Sequence, residues 1–219
     1  MFERMIAFII LIMISPIFLI VILFNILFSG WPIFFSDKRM GLRNVEFSLY
    51  KFRTMYINKG PKITVYNDIR ITKFGQILRK YKIDEWPQLF NIIKGDMQFI
   101  GPRPEAISLV RKYPIHFKYL DSVKPGLSDI SSIIFKDESK IIERHALKYE
   151  KDLIPIKNIL SSIIIGKNNI IKSGVLFLLS ICAIFSHKLS LKVISSFFLP
   201  YNEVELRNKL NYLLSENIF

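Results

Sequence analysis

Cysteine is almost absent from this chain: Cys182 stands alone among 219 residues. A disulfide framework or a Cys-rich zinc site needs at least two thiols, so both are excluded. Acidic residues are also scarce, 18 Asp plus Glu against 31 Lys plus Arg, which leaves a net charge of +13 and a pI near 9.8. The strings GxxxxGK[ST], GxGxxG and HExxH do not occur, and nucleotide hydrolysis on a P-loop is thereby removed. His116, His145 and His187 share no motif, so Ser-His-Asp catalysis has no support. What the chain does have is apolar surface: 51% of residues are hydrophobic and the mean hydropathy is +0.31. Strongly basic soluble domains are ordinarily hydrophilic, whereas an apolar and basic chain fits a seat on an anionic membrane. The length suits one domain of roughly 150 to 200 residues with something added.

From Met5 to Phe28 the chain is apolar and uncharged, MIAFIILIMISPIFLIVILFNILF. That clears the roughly 20 residues needed to cross a bilayer. No small-x-small cleavage site follows, so the segment reads as retained rather than as a signal peptide. Ser15 and Pro16 stand at its centre, where Pro removes a backbone hydrogen bond and predicts a bend or break. The Ser hydroxyl can bond a carbonyl that Pro frees. Lys38, Arg39, Arg43, Lys51 and Arg53 follow the segment while only Glu3 and Arg4 precede it, and the positive flank belongs on the cytoplasmic side. Two topologies satisfy these facts: a kinked span, and a helix that dips in and returns.

Trp31 and Pro32 mark the interface, and the soluble part begins near Ser36. Phe47, Leu49, Tyr50 and Phe52 read as a short strand, and Thr64 to Tyr66 as another. In NDIRITKFGQILRKYK, Ile71, Phe74, Leu78 and Tyr81 recur at helical spacing beside Arg70, Lys73, Arg79, Lys80 and Lys82, an amphipathic basic helix. A second helix opens at Asp84 as N-cap and ends at Gly95. GDMQFIGPRPE is a Gly and Pro rich loop, Ala106 to Phe117 is helical up to Pro114, and Lys124, Pro125 and Gly126 make a turn. Lys136 to Lys151 is charged and helical. Ile156 to Ile165, Val175 to Phe185 and Val193 to Leu199 are apolar pieces too short to span singly, fitting interfacial helices or a small core.

The chemistry concentrates at Asp84 and Glu85, which open a helix between the cationic run Arg79, Lys80, Lys82 and the Arg103 loop. Free N–H groups and the positive helix end attract phosphate and favour an ionised carboxylate. An ionised carboxylate can act as a nucleophile, and its neighbour can hold Mg²⁺ whose other ligands are phosphate oxygens and water. An Asp-Glu pair is also ordinary capping chemistry. Arg103, between Pro102 and Pro104, is presented from a stiff backbone that lowers the entropy cost of a phosphate contact. Lys51 and Arg53 in YKFRTM offer two more cations or, equally, a solvated strand face.

In order along the chain, Ser15-Pro16, RMGLRNVEF (Arg39 to Phe47), YKFRTM (Tyr50 to Met55), DIRITKFGQILRK (Asp68 to Lys80), IDEWPQLFNIIKGDM (Ile83 to Met97), IGPRPE (Ile100 to Glu105) and VKPGL (Val123 to Leu127) resemble the bacterial sugar transferases. These are the monotopic polyprenyl-phosphate phosphoglycosyl transferases. The resemblance covers about the first 130 residues. It implies a mostly helical α+β fold with a re-entrant membrane helix broken at Ser15-Pro16 over residues 1–35 and a small cytoplasmic catalytic domain over 36–150; the apolar and amphipathic pieces over 151–219, read from their own composition, are expected to be membrane-interfacial helices. It implies transfer of a sugar 1-phosphate from a UDP-sugar to undecaprenyl or a similar polyprenyl phosphate, with UMP leaving first. Asp84 would carry a covalent phosphosugar and Glu85 would help bind Mg²⁺. Arg79 and Arg103 would contact phosphates or nucleotide, and Lys51 and Arg53 are further candidates for the substrate phosphates or for headgroups. The implied setting is the bacterial inner membrane, cytoplasmic face, at the first membrane step of surface glycan assembly. Downstream glycosyltransferases are candidate partners, and nucleic acid is not one.

Departures from the family pattern are Trp86, where a small aliphatic residue is usual, Ser128-Asp129 after the Lys-Pro-Gly turn, and the missing late Asp. Two other readings compete: an inactive membrane scaffold of a glycan assembly complex, and a basic anchored module that docks a partner and tolerates Asp84→Asn.

Overall fold

The computed structural model describes residues 1–57, 68–135, 154–163 and 170–198. Among these residues the fold is mostly helical, with two small two-stranded sheets and a long apolar helix at the N-terminus. Helix α1 (Phe2–Ser29) runs as one element with Pro16 inside it. The expected break is therefore not a gap between two helices. Pro16 leaves the Ile12 carbonyl without its usual donor, and Ser15 Oγ donates to that oxygen at 2.7 Å. Ala7, Phe18, Val21, Asn25 and Ser29 of α1 are buried, while Phe8, Met13, Leu19, Leu23 and Leu27 are exposed. Only 17% of its most apolar stretch is buried, unlike a soluble core helix.

Strands β1 (Phe34–Met40) and β2 (Glu46–Phe52) form an antiparallel hairpin in register from Phe34 opposite Phe52 to Met40 opposite Glu46. The sequence reading found β2 and missed β1, because Asp37, Lys38 and Arg39 conceal its apolar ends. Helix α2 (Lys73–Lys80) is shorter than the periodicity predicts. Thr72 stops it from starting earlier: its hydroxyl accepts from Gly75 N at 2.9 Å as an N-cap. A 3-10 turn (Ile83–Glu85) leads into α3 (Gln88–Lys94), which ends as predicted at Gly95 in the left-handed region.

The Gly and Pro rich loop contains a strand instead. β3 (Gln98–Ile100) pairs in parallel with β4 (Gly126–Ser128), so the predicted Lys-Pro-Gly turn feeds directly into a strand. A Cβ on Gly126 would lie 2.1 Å from Gly101 N, and only glycine permits that approach. Between them lie α4 (Ile107–Lys112) and a 3-10 segment (Pro114–Asp121), the interruption at Pro114 being as expected. α5 (Ile130–Ile134) starts from a capping box in which Asp129 accepts from Ser132 N, which gives the departure Ser128-Asp129 a structural use.

The apolar C-terminal pieces form α6 (Ile154–Ser162), α7 (Ile170–Phe185) and α8 (His187–Phe197). They build a core in which Ile156, Leu160, Leu176, Leu179, Ala183 and Ile194 pack on Ile130, Ile133 and Ile134. A second cluster sets Ala7 of α1 on Phe47, Leu49, Leu89 and Ile92, and a third sets Phe18 and Val21 on Ile33, Phe52 and Leu78. Both halves of α1 thus rest on the same body. The predicted strand Thr64 to Tyr66, the predicted helix Lys136 to Lys151 and the boundary at residue 150 lie outside the described residues.

Candidate active site

The site is built where β2, the 3-10 turn and the loop after β3 meet. Lys82 adopts a left-handed conformation (φ 55°) that reverses the chain after α2 and turns Asp84 and Glu85 inward. Asp84 is not the helix N-cap that the sequence suggested; it sits inside the 3-10 turn, and α3 begins after Pro87. Asn91 fastens α3 to β2, accepting from Tyr50 N at 3.1 Å and donating to the Ser48 carbonyl at 2.7 Å.

Glu85 receives two cations from distant segments. Lys51 Nζ of β2 lies 3.3 Å from its Oε1, and Arg103 Nη2 lies 3.5 Å from the same oxygen. Arg79, in the last turn of α2, is held by a 2.8 Å bond from its Nε to Thr54 Oγ1, and its charge reaches Asp84. The two carboxyls titrate apart. Burial and then the neighbouring Glu85 charge push Asp84 up to about 6, against the pull of Lys51, Arg79 and Lys82. Burial also opposes Glu85 ionisation, but Lys51, Arg103 and Lys82 together outweigh it and hold Glu85 well below the ordinary range. Burial lowers Lys51, while Glu85 resists that change.

Arg53 goes elsewhere. Its guanidinium donates to the Ser29 and Gly30 carbonyls and, at 2.6 Å, to the Pro32 carbonyl, which closes the C-terminus of α1. These donors serve backbone acceptors that Ser29 and Gly30 would otherwise bury unpaired, which gives Arg53 a structural use beside the expected contact with substrate phosphates or headgroups. Ser15 and Pro16 lie in α1 as described. The sequence reading overlooked Thr54, which aims Arg79, and Asn91, whose signal was a polar residue inside the apolar run LFNII.

Among the described residues, no group of three or more His, Cys, Asp or Glu could hold a metal ion. Two adjacent carboxylates, one kept ionised, fit Mg²⁺, which binds through one or two carboxylates and fills its other positions with phosphate oxygens and water.

The sequence model described as bacterial sugar transferase matches residues 1–166. The chain belongs to the bacterial sugar transferase family. It is 36% identical over 156 residues to a UDP-N-acetylgalactosamine-undecaprenyl-phosphate N-acetylgalactosaminephosphotransferase of Aeromonas hydrophila, covering 66% of this chain and 35% of that relative. It is 38% identical over 137 residues to the uncharacterized sugar transferase EpsL of Bacillus subtilis, covering 60% and 64%. A UDP-glucose:undecaprenyl-phosphate glucose-1-phosphate transferase of Klebsiella pneumoniae matches at 33% over 166 residues, covering 71% and 35%. The matched stretches therefore span between about one third and two thirds of these sugar transferases. The family match ends inside the stretch between α6 and α7, so α7 and α8 lie beyond it.

Proposed function

We propose that this protein transfers a sugar 1-phosphate from a UDP-sugar to undecaprenyl or a related polyprenyl phosphate. The observation that carries the reading is the buried Asp84 beside a Glu85 whose carboxylate meets Lys51 at 3.3 Å and Arg103 at 3.5 Å, an arrangement in which burial raises Asp84 while the cations keep Glu85 charged. A raised carboxylate is more basic and more nucleophilic, yet still ionised at cytoplasmic pH. In the first step an Asp84 carboxylate oxygen attacks the sugar-bearing phosphorus, a P–O bond forms, and the bridging P–O bond breaks with its electron pair leaving on UMP. In the second, a phosphate oxygen of the polyprenyl phosphate attacks the same phosphorus and the Asp84 carboxylate departs unchanged. Splitting the transfer means that the two anionic substrates need not occupy the site together. Arg103, Arg79 and Lys51 offset the phosphate charge in each step. Mg²⁺ held by Glu85 supplies further neutralisation of phosphate oxygens when bound.

The same reading seats the chain on the cytoplasmic face of a bacterial inner membrane. α1 turns an apolar face outward, and both its halves pack on the catalytic body, Ala7 on Leu89 and Ile92, Val21 on Phe52 and Leu78. A helix that left the body to cross the bilayer would not hold contacts at both ends, so these contacts favour dipping and returning about Ser15-Pro16. Exposed Ile171, Leu178 and Phe185 of α7, with Lys188 and Lys192 of α8, suit interfacial placement of the C-terminal helices.

The test is UMP release by detergent-solubilised protein given Mg²⁺, undecaprenyl phosphate and a panel of UDP-sugars. We expect lipid-dependent release from at least one donor and its loss, by at least 10³-fold on the order of a missing nucleophile, in Asp84→Asn. Folded, membrane-bound protein that releases nothing from any donor would favour the inactive scaffold.

A further inference from the structure

Glu105 follows Arg103 by two residues, and its carboxylate meets Lys157 of α6 at 2.8 Å, the Lys and Glu side chains being 7% and 14% exposed. This pair joins a helix near the end of the family match to the loop that delivers Arg103 to Glu85. The loop is tied by its backbone on two other sides. Gly101 N donates to the Ser128 carbonyl, Gly126 N donates to the Pro102 carbonyl, and Met40 N donates to the Glu105 carbonyl. On the β1 side, Arg39 Nη1 also reaches the Pro104 carbonyl at 3.4 Å. Those bonds fix the path of the chain at Gly101, Pro102 and Glu105. Pro104 stiffens the backbone between Arg103 and Glu105, so a displacement of Glu105 is carried to Arg103.

A buried ion pair is a poor way to add stability, because desolvating both charges offsets most of the attraction and an apolar pair would pack as well. It is a good way to fix one direction, since a charged hydrogen bond is short and oriented. Tyr119, whose hydroxyl burial and then the Glu105 and Asp129 charges push far above its ordinary range, stays neutral beside the pair. Asp129 is itself engaged by Ser131, Ser132 and Ser161. Among the described residues, the acidic groups near Lys157 are Glu105, at bonding distance, and Asp129, which also accepts from serines.

We propose that Lys157 is a positioning residue which, through Glu105, holds Arg103 within reach of Glu85 and of the phosphate bound beside it. The proposal rests on the transferase reading for the identity of that phosphate. The test is a double-mutant cycle between Arg103→Ala and the charge-neutral pair Glu105→Gln with Lys157→Met, which removes both charges of the Glu105–Lys157 pair together. The cycle is read in kcat and KM for UDP-sugar turnover and, separately, in the Kd for UDP, with thermal unfolding confirming a folded protein.

With Arg103 present, the neutral pair should weaken UDP binding and kcat/KM about tenfold. With Arg103 already removed, it should cost less than about twofold, the coupling expected of residues acting through one another. Lys157→Arg should retain most of the activity that Lys157→Met loses. Equal losses in both backgrounds, or no loss with Arg103 present, would overturn the proposal, as would a wild type that does not bind UDP. A wild type that binds UDP but turns over no donor would defeat the transferase reading, while the binding cycle still decides the role of Lys157.

Discussion

At the residue scale, Asp84 and Glu85 are chemically similar side chains at successive positions, made unlike by what surrounds them. Lys51 and Arg103 meet Glu85, so the charge that burial would suppress is retained there. Asp84 bears the cost of burial next to that retained charge and is pushed up to about 6. The proposed nucleophile must be ionised to attack, so kcat/KM should fall as pH drops through about 6, tenfold per unit below it. Lys51 pulls Asp84 down, and removing it should raise Asp84 further. In Lys51→Met we therefore expect the acid limb to move to higher pH, measured on residual UMP release between pH 5 and 8.5. An unmoved limb would mean that another group sets it. The Asp-Glu pair was legible from the sequence, but not its place in a 3-10 turn or its division of labour, since Lys51 and Arg103 reach Glu85 from other segments.

Among the elements, α2 shows how a backbone contact sets up the site. A Cβ on Gly75 would lie 2.2 Å from the Thr54 carbonyl oxygen, and that backbone cannot swing aside as a long side chain could. Thr72 N donates to the same carbonyl, and Arg79 Nε bonds the Thr54 hydroxyl. Gly75→Ala should destabilise the protein by about 1–3 kcal/mol, the range for overpacking, and lower turnover by displacing Arg79. Thermal unfolding and UMP release together check this, and unchanged values in both would show that α2 adjusts freely. The extent of α2 was overread from its periodicity because a capping Thr72 matters more than the apolar spacing. Strands β3 and β4 were read as loop and turn because strands of only three residues, set among Gly and Pro, carry almost no alternation. Their pairing rests on the contact between Gly101 and Gly126, far apart in sequence.

For the whole molecule, the placement of α1 is the largest question. Arg4 at one end lies against Gly95, and Ser29 at the other bonds Thr72 Oγ1 at 3.1 Å. If α1 dips and returns, cysteines introduced at Phe2 and Trp31 should both react with an impermeant maleimide from the cytoplasmic side alone. Exposed Cys182 must first be replaced. Labelling of Phe2→Cys only from the opposite side would establish a span.

The sequence by itself determined the apolar N-terminal segment, its Ser-Pro interruption, the basic balance and the ordered motifs that mark the family. These are properties of adjacent residues and short periods, which a linear string records. Only the tertiary structure decided that Arg53 closes α1, that Glu85 is the carboxyl held charged, and that Lys157 reaches the Arg103 loop. Lys51 lies 34 positions from Glu85, Arg103 lies 18 from it, and Lys157 lies 52 from Glu105. Charge pairing and burial act through space, and the fold chooses which of the chain's many cations meets each of its few carboxylates.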